Sequence, residues 1–139
     1  MGHVYADITL FNSFEVLAAK KGLMAEGDVK SLTVNALVDS GAMTLTINED
    51  IAKQLDLEVR EQIEATLADG SRRTCDIVGP VDIHFKNRSA CIRAFVLPGA
   101  DEILLGVIPL EEMDVLIDPT TQQLVVHPDR PDRAQLKLK

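Results

Sequence analysis

Apolar and polar residues alternate along much of the chain, which predicts short, half-buried β-strands. Every second residue is apolar over 4–10, and this pattern ends at Phe11-Asn12-Ser13. Strand-like sequence resumes over 29–38, and 44–47 adds a shorter stretch. Period-two alternation places one set of side chains against a core and the other in solvent. The first third of the sequence therefore predicts three strands.

Turn-forming residues divide the rest of the chain into hairpins. Asp69-Gly70 lies between the stretches 63–67 and 74–78, and this dipeptide is among those most favoured at a tight hairpin turn. We therefore expect a hairpin with its tip at Asp69-Gly70. Two further hairpins are predicted, which join 81–85 to 90–97 and 115–117 to 124–126.

One short helix has clear end signals. Asn48 is a good N-cap residue, and Glu49 and Asp50 follow in the first turn, where negative charge complements the helix dipole. The pattern predicts a helix that ends near Leu55.

Two other segments have weaker helix signals. A short helix is expected over 109–113, where proline and acidic residues stand at the start. Residues 14–28 could form two helical turns before Gly22 and Gly27 interrupt them, so we interpret this segment as a loop with a possible helix. The predicted fold class is mostly β, a small closed barrel or sandwich with one or two short helices.

Composition indicates one globular domain. The chain has 139 residues, of which 46% are apolar and 26% charged, the balance of a soluble globular protein. Its net charge of -8 disfavours nucleic acid and anionic membranes, which bind clusters of Lys and Arg. The longest nearly unbroken apolar run, 103–110, is shorter than the about 20 residues that cross a bilayer, and residues 1–7 lack a secretory pattern. We expect a cytoplasmic protein with no nucleic-acid or membrane partner.

The cysteine and histidine residues do not indicate a metal site. Cys75 and Cys91 are far apart and lack Cys-x-x-Cys spacing, so buried free thiols are expected. His3, His84 and His127 are scattered, and we interpret all three as structural. The prediction is that the protein binds no metal and no cofactor.

One carboxylate lies where an apolar strand ends in a turn. Ala36-Leu37-Val38 leads directly into Asp39-Ser40-Gly41-Ala42. A buried carboxylate costs several kcal/mol unless it is hydrogen-bonded, paired or protonated, so Asp39 needs partners. Ser40 offers a hydroxyl, and Gly41 allows backbone amides to approach. Taken alone, the triplet is also compatible with an ordinary Asx-turn or helix cap.

Asp39-Ser40-Gly41-Ala42 resembles the Asp-Thr/Ser-Gly-Ala active-site loop of retropepsin-like aspartic proteases. Two further motifs follow in the family's order, Leu67-Ala68-Asp69-Gly70-Ser71 and Leu104-Leu105-Gly106. The resemblance is to the bacterial single-domain members and covers residues 4–126. It implies a small closed barrel of the retropepsin-like acid protease type, with a flap hairpin over a cleft. Ser40 retains the hydroxyl of the commoner threonine but lacks its methyl group.

The resemblance also implies a function. Because the chain has one such acid, the implied enzyme is a homodimeric aspartic endopeptidase that hydrolyses a peptide or protein substrate. Asp39 of each protomer would be catalytic, with Ser40, Gly41 and Ala42 supporting its loop. The implied flap and substrate-binding residues are Ala68, Asp69, Gly70 and Ser71. The implied core beside the active site is Leu104, Leu105 and Gly106.

Two other hypotheses stay open. The same fold could serve as a non-enzymatic peptide-binding or dimerisation module, a view motivated by Ser40 and by the unexplained segment 14–28. Alternatively, cleavage could be limited to the chain's own end, because exposed polar segments are preferred cleavage sites. The predicted organisation is a protease domain over 1–127 and a mobile, proline-interrupted polar tail over 128–139.

Overall fold

The structure is a computed structural model that describes residues 2–138, and its secondary structure consists mainly of β-strands. The strands are β1 (Tyr5–Asn12), β2 (Ser31–Val38), β3 (Leu45–Ile47), β4 (Val59–Thr66), β5 (Arg72–Phe85), β6 (Arg88–Val96), β7 (Ile103–Leu105), β8 (Val115–Asp118) and β9 (Gln123–Val126). The described residues also form helices α1 (Ser13–Lys20), α2 (Glu49–Gln54) and α3 (Val107–Met113), with a single 3-10 turn at Glu26–Asp28. The mostly-β prediction is confirmed, with three short helices where one or two were expected.

Six strands close into a barrel. Their order is β1-β2-β7-β3-β6-β5, and β5 pairs again with β1 to complete the circle. The β2–β7 and β3–β6 pairs are parallel, and the other neighbours are antiparallel. Strand β4 pairs with the first half of β5 and lies outside the closed circle, while β8 and β9 form a separate two-stranded sheet. Closure leaves the barrel strands without a free edge.

The core lies inside the barrel and follows from the alternation in the sequence. On β1, Ala6, Ile8 and Leu10 point inward and are at most 6% exposed, while the residues between them are partly or fully exposed. The same inward pattern recurs on the other barrel strands. The largest fully buried side chains include Leu45, Ile47, Leu55, Ile83, Leu105 and Met113. A barrel of this size is therefore filled by its own aliphatic side chains.

Strand β5 is one continuous strand of 14 residues rather than two. The sequence predicts separate strands over 74–78 and 81–85, divided by Gly79-Pro80. In the structure these two residues form an irregularity at which the register with β6 shifts, and the strand continues beyond it. Gly79 has a φ of +123°, and an added Cβ would lie 3.1 Å from the backbone nitrogen of Val81. This joint therefore requires glycine.

The segment 14–28 begins with helix α1, which the sequence indicated only as possible. The helix forms because Asn12 caps it, with Asn12 Oδ1 accepting a hydrogen bond from the Glu15 amide at 3.1 Å. Asn12 Nδ2 also donates to the carbonyl oxygens of Leu55 and Asp56. Strand β1 starts beside the end of β2 and rises about 25 Å over eight residues, at about 3.3 Å each. The segment therefore lies at the opposite end of β1 from Asp39.

Residues 127–135 contact the barrel near α3 and the β5–β6 turn. Arg130 donates through Nε and Nη2 to the carboxylate of Asp114, at 2.6 and 3.0 Å. Asn87 Nδ2 donates to the carbonyl oxygen of Pro131 at 2.8 Å, and the buried Arg88 donates to the carbonyl oxygen of Arg130. The domain boundary at 127 and the mobility of 128–139 stay predictions.

Candidate active site

The loop that follows β2 is held by the neighbouring strand. The amide of Asp39 donates to the carbonyl oxygen of Leu105 at 3.0 Å, and the amide of Ala42 donates to the carbonyl oxygen of Asp39 at 3.0 Å. The first bond continues the parallel pairing of β2 with β7, and the second closes a tight turn. The chain therefore reverses directly after Asp39, as the glycine in the motif indicated.

The carboxylate of Asp39 is half-buried, whereas the sequence suggested a buried acid. Its Oδ1 accepts a hydrogen bond from the Gly41 amide at 2.9 Å, which is an Asx-turn. Ser40 and Gly41 are exposed beside it. The loop thus presents a carboxylate, a hydroxyl and a bare stretch of backbone on the protein surface.

Gly106 allows the loop to pack against the start of α3. A Cβ added at Gly106 would lie 2.5 Å from the carbonyl oxygen of Thr44 and 2.6 Å from that of Ala42, too close for any side chain. The amides of Val107 and Ile108 donate to the carbonyl oxygens of Ala42 and Met43, at 2.9 and 3.0 Å. The first turn of α3 therefore satisfies the backbone of the Asp39 loop from behind.

The predicted hairpin tip is present between β4 and β5. The amide of Leu67 donates to the carbonyl oxygen of Ser71 at 2.8 Å, and Gly70 has a φ of +86°. Asp69 Oδ1 accepts hydrogen bonds from the hydroxyl and the amide of Ser71, which lower the pKa of Asp69. The tip is thus fixed by its own residues, and it is exposed.

The hairpin and the Asp39 loop border one cleft of about 520 Å³. Of the residues predicted for the site, Asp39, Gly41, Ala42, Ala68 and Leu104 line it. The other predicted residues do not line it: Ser40 lies on the exposed loop, Leu105 and Gly106 are buried behind the loop, and Asp69, Gly70 and Ser71 are at the hairpin tip.

Several residues that line the cleft were not predicted from the sequence. They are Met43, Thr46, Ile63, Glu64, Ala65, Thr66, Leu67, Cys75, Phe95 and Leu97. One signal could have identified part of this set, because residues 94–97 are all apolar, which indicates a strand with apolar surroundings on both faces. Ala94 and Val96 indeed face the barrel core, while Phe95 and Leu97 face the cleft.

The two cysteines differ in their surroundings. Both thiols are free, but Cys75 is buried and Cys91 is exposed, so the expectation of two buried thiols is wrong for Cys91. Cys91 alternates with Ala90 and Ile92, which face the core, and therefore points away from it. Partial burial and the nearby carboxylates of Asp82 and Glu112 raise the pKa of the Cys91 thiol, although a hydrogen bond with Ser13 opposes them.

Metal-binding clusters and membrane-spanning helices are both absent from residues 2–138. This part of the chain contains no group of three or more His, Cys, Asp or Glu side chains placed to hold a metal ion. None of the helices there has the length and apolar character needed to cross a membrane.

Comparison with protein families gives one match over most of the sequence. The profile of the family described as "gag-polyprotein putative aspartyl protease" matches residues 25–112, which is more than half of the chain. The match includes the Asp39 loop, the β4–β5 hairpin and the Leu104-Leu105-Gly106 motif. Comparison with curated protein sequences gives no significant match.

Solved structures also resemble the fold. The retroviral protease-like domain of Ddi1 from Leishmania major aligns with a TM-score of 0.58 at 18% identity, covering 92% of this chain and 90% of that one. A retropepsin-like aspartic protease from Rickettsia conorii aligns with a TM-score of 0.45 at 17% identity, covering 76% and 67% of the two chains. Lpg0085 from Legionella pneumophila, a protein of unknown function, aligns with a TM-score of 0.43 at 12% identity over 92% and 98%. Of these three likenesses, the first supports the fold.

Proposed function

Because the chain belongs to the gag-polyprotein aspartyl protease family, with the retropepsin-like fold, we propose that it is a homodimeric aspartic endopeptidase whose two Asp39 carboxylates activate water. The observation that carries this proposal is the Asp39 loop itself. It presents one half-buried carboxylate at the edge of a peptide-sized cleft, with Ser40 and Gly41 exposed beside it. A second copy of the loop would supply the second carboxylate.

The other acid in the cleft is less suited to this chemistry. Glu64 lies on β4 with a largely exposed side chain, and its Oε1 is 3.4 Å from Nη1 of Arg72. It therefore already has a cationic partner and lies on the covering hairpin. Asp39, in contrast, is held by the Gly41 amide and is the better candidate for the catalytic acid.

The proposed reaction requires one Asp39 to be ionised and the other protonated. The ionised carboxylate takes a proton from water, whose oxygen attacks the peptide carbonyl carbon while the protonated Asp39 donates a hydrogen bond to the carbonyl oxygen. The C–N bond then breaks, and the leaving nitrogen receives a proton from the pair. Activity should decline in acid, where both carboxylates are protonated, and in base, where both are ionised, so the pH profile should be bell-shaped.

Other residues of the site would position the substrate. Ser40 would brace the paired loops, and Gly41 would admit the substrate backbone because it has no side chain there. The hairpin residues Ala68, Asp69, Gly70 and Ser71 would form the flap and pair with an extended peptide as an added strand. Leu104, Leu105 and Gly106 would hold the Asp39 loop from behind.

Replacement of Asp39 tests the proposal. We expect the wild-type protein to cleave casein at some pH from acidic to neutral, and Asp39→Asn to cleave none while retaining its circular dichroism spectrum. Asp7→Asn is the matched control, because Asp7 is an exposed carboxylate on β1 that binds Asn35. Unchanged cleavage by Asp39→Asn would exclude the proposed role. Peptide binding with no turnover at any pH would instead support a non-enzymatic peptide-binding module.

Mixing the two proteins tests the dimer separately. If both protomers contribute Asp39, an excess of Asp39→Asn should draw wild-type chains into inactive pairs and suppress their activity. Activity per mole of wild-type protein should also decrease on dilution. A protein that works as a monomer would show neither effect. The cytoplasmic location stays a prediction.

A further inference from the structure

The cleft has a mostly apolar floor built from one face of five adjacent strands, in the order β7-β3-β6-β5-β4, and the segment after β6. Residues that pair across neighbouring strands share a face of a sheet. Thr46 on β3 pairs with both Leu104 on β7 and Phe95 on β6. Closer to the hairpin tip, Cys75 on β5 pairs with Ile63 on β4, and Leu97 directly follows β6. All six of these side chains line the cleft.

Cys75 is buried by this floor and not by the barrel core. Its side chain is 3% exposed, yet it is absent from the cluster of buried residues that fills the barrel, which includes Val78 and Val96. Its thiol donates a weak hydrogen bond to the carbonyl oxygen of Arg73, with a distance of 3.9 Å from Sγ to the oxygen. Its alternation on β5 places Cys75 on the cleft face, where it lies between the hairpin and the rest of the floor.

The residues that line the cleft around Cys75 are mostly apolar. The acidic residues of the cleft are Asp39, on the loop, and Glu64, which forms an ion pair with Arg72. Cys75 pairs with the apolar Ile63 on β4, and the apolar Leu97 also lines the cleft. A charged side chain placed against this apolar floor would lose hydration, whereas an apolar one would be buried favourably.

We propose that Cys75 is a specificity-determining residue, which sets the depth of a subsite for an uncharged, apolar side chain of the bound peptide. This inference rests on the proposed function only in that the cleft binds an extended peptide. The thiol is small and almost completely covered at 3% exposure, so Cys75 forms the base of the floor under this subsite. A larger residue at position 75 would push the floor toward the cleft and make the subsite shallower.

Substitutions of Cys75 test the proposal with a peptide series. The peptides differ at one position near the cut, which is Ala, Val, Leu or Phe, and kcat/KM is measured for each. We expect Cys75→Leu to decrease the preference for Leu and Phe over Ala by about tenfold or more, because one or two methylene groups have effects of this size in apolar pockets. Cys75→Ala should shift the preference toward Phe. Cys91→Leu is the matched control and should leave the preference unchanged.

Binding separates this proposal from the proposed function. Three proteins that all carry Asp39→Asn are titrated with the same peptides by fluorescence anisotropy: one retains Cys75, and the others add Cys75→Ala or Cys75→Leu. A size preference that follows the residue at position 75 supports the subsite even if the wild-type protein cleaves nothing. Cleavage whose preference does not change with that residue overturns the subsite and leaves the protease proposal intact.

Discussion

At the start of β2, the Glu15 carboxylate accepts hydrogen bonds from the backbone amide and the ammonium group of Lys30, both at 2.8 Å. At the other end of the same strand, the Asp39 carboxylate accepts one hydrogen bond within the described chain, from the Gly41 amide. Glu15 is 8% exposed, and its hydrogen bond with the Lys30 side chain lowers its pKa, whereas Asp39 is half-buried. One end of the strand is thus satisfied by its own chain, and the other keeps a carboxylate oxygen available.

The polar side chains at the two ends of β2 have different roles. Around α1, Asn12 and Glu15 bind backbone groups of α1 itself and of two other segments, so their loss would leave buried donors and acceptors without partners. Around Asp39, the backbone is supported from behind by α3, and the side chains of the loop face outward. The first arrangement stabilises the fold. The second leaves groups that a partner copy, water or substrate can bind.

Among substitutions outside the proposed catalytic acid, the largest effect is expected from Gly106→Ala, which disturbs the Asp39 end. The new Cβ would lie 2.5 Å from the Thr44 carbonyl oxygen, so the loop must move. We expect kcat/KM to decrease by about a hundredfold, since a displacement near 1 Å can have this effect, and the free energy of unfolding to decrease by about 1–3 kcal/mol.

Gly27→Ala is the matched control for this substitution, because no atom lies within 4 Å of an added Cβ at Gly27. Peptide cleavage and urea denaturation measure the two effects. Wild-type activity in Gly106→Ala would show that the support from α3 is not needed at the site.

Asn12→Ala should disturb the α1 end without changing the site. The substitution removes the cap of α1 and the donor that two carbonyl oxygens share, so we expect the free energy of unfolding to decrease by about 2 kcal/mol. Activity per folded molecule should stay near that of the wild-type protein. Asn35→Ala, which removes an exposed amide bound to Asp7, serves as the control and should change stability less. A loss of activity without a loss of stability would contradict the separation of the two ends.

The smallest effect is expected from Asp114→Asn, at the C-terminal end of α3. Hydrogen bonds from the Arg130 side chain and the Gln135 amide hold the pKa of Asp114 well below its usual value near 4. Because the folded-state pKa is lowered, the ionised Asp114 stabilises the folded protein. This stabilisation is complete above about pH 4 and is lost only as the pH falls through the lower folded-state pKa. Asparagine also tolerates the left-handed backbone of Asp114, at φ 56°, so the helix end should be preserved.

Amide hydrogen exchange at Gln135 measures this contact. The wild-type amide should stay protected from pH 7 to about pH 4, whereas Asp114→Asn should exchange faster at every pH in that range. Cleavage activity should be unchanged, because the contact lies at the opposite end of α3 from the Asp39 loop. Equal exchange in the two proteins would show that the carboxylate does not hold residues 127–135.

Local features of the fold could be predicted from the sequence because the interacting atoms belong to neighbouring residues. Asn48 caps α2 as expected, with its Oδ1 accepting a hydrogen bond from the Ile51 amide. The Asp69-Gly70 tip also forms as expected, since glycine readily adopts the positive φ that the turn needs. The Asp39 motif was found by its resemblance to a family, and its order relative to the two later motifs was visible in the sequence.

Tertiary structure alone decided which residues face one another. The alternation in β5 and β6 does not reveal that Cys75 lies on the cleft floor or that Cys91 is exposed, because each position depends on strands distant in the sequence. Barrel closure by β1 and β5 joins residues about 70 positions apart, and β7 brings Leu105 to the amide of Asp39. The conformational preferences of neighbouring residues determine turns and helix caps. Strand register and side-chain exposure depend on packing between distant segments, because several strands have a similar apolar pattern.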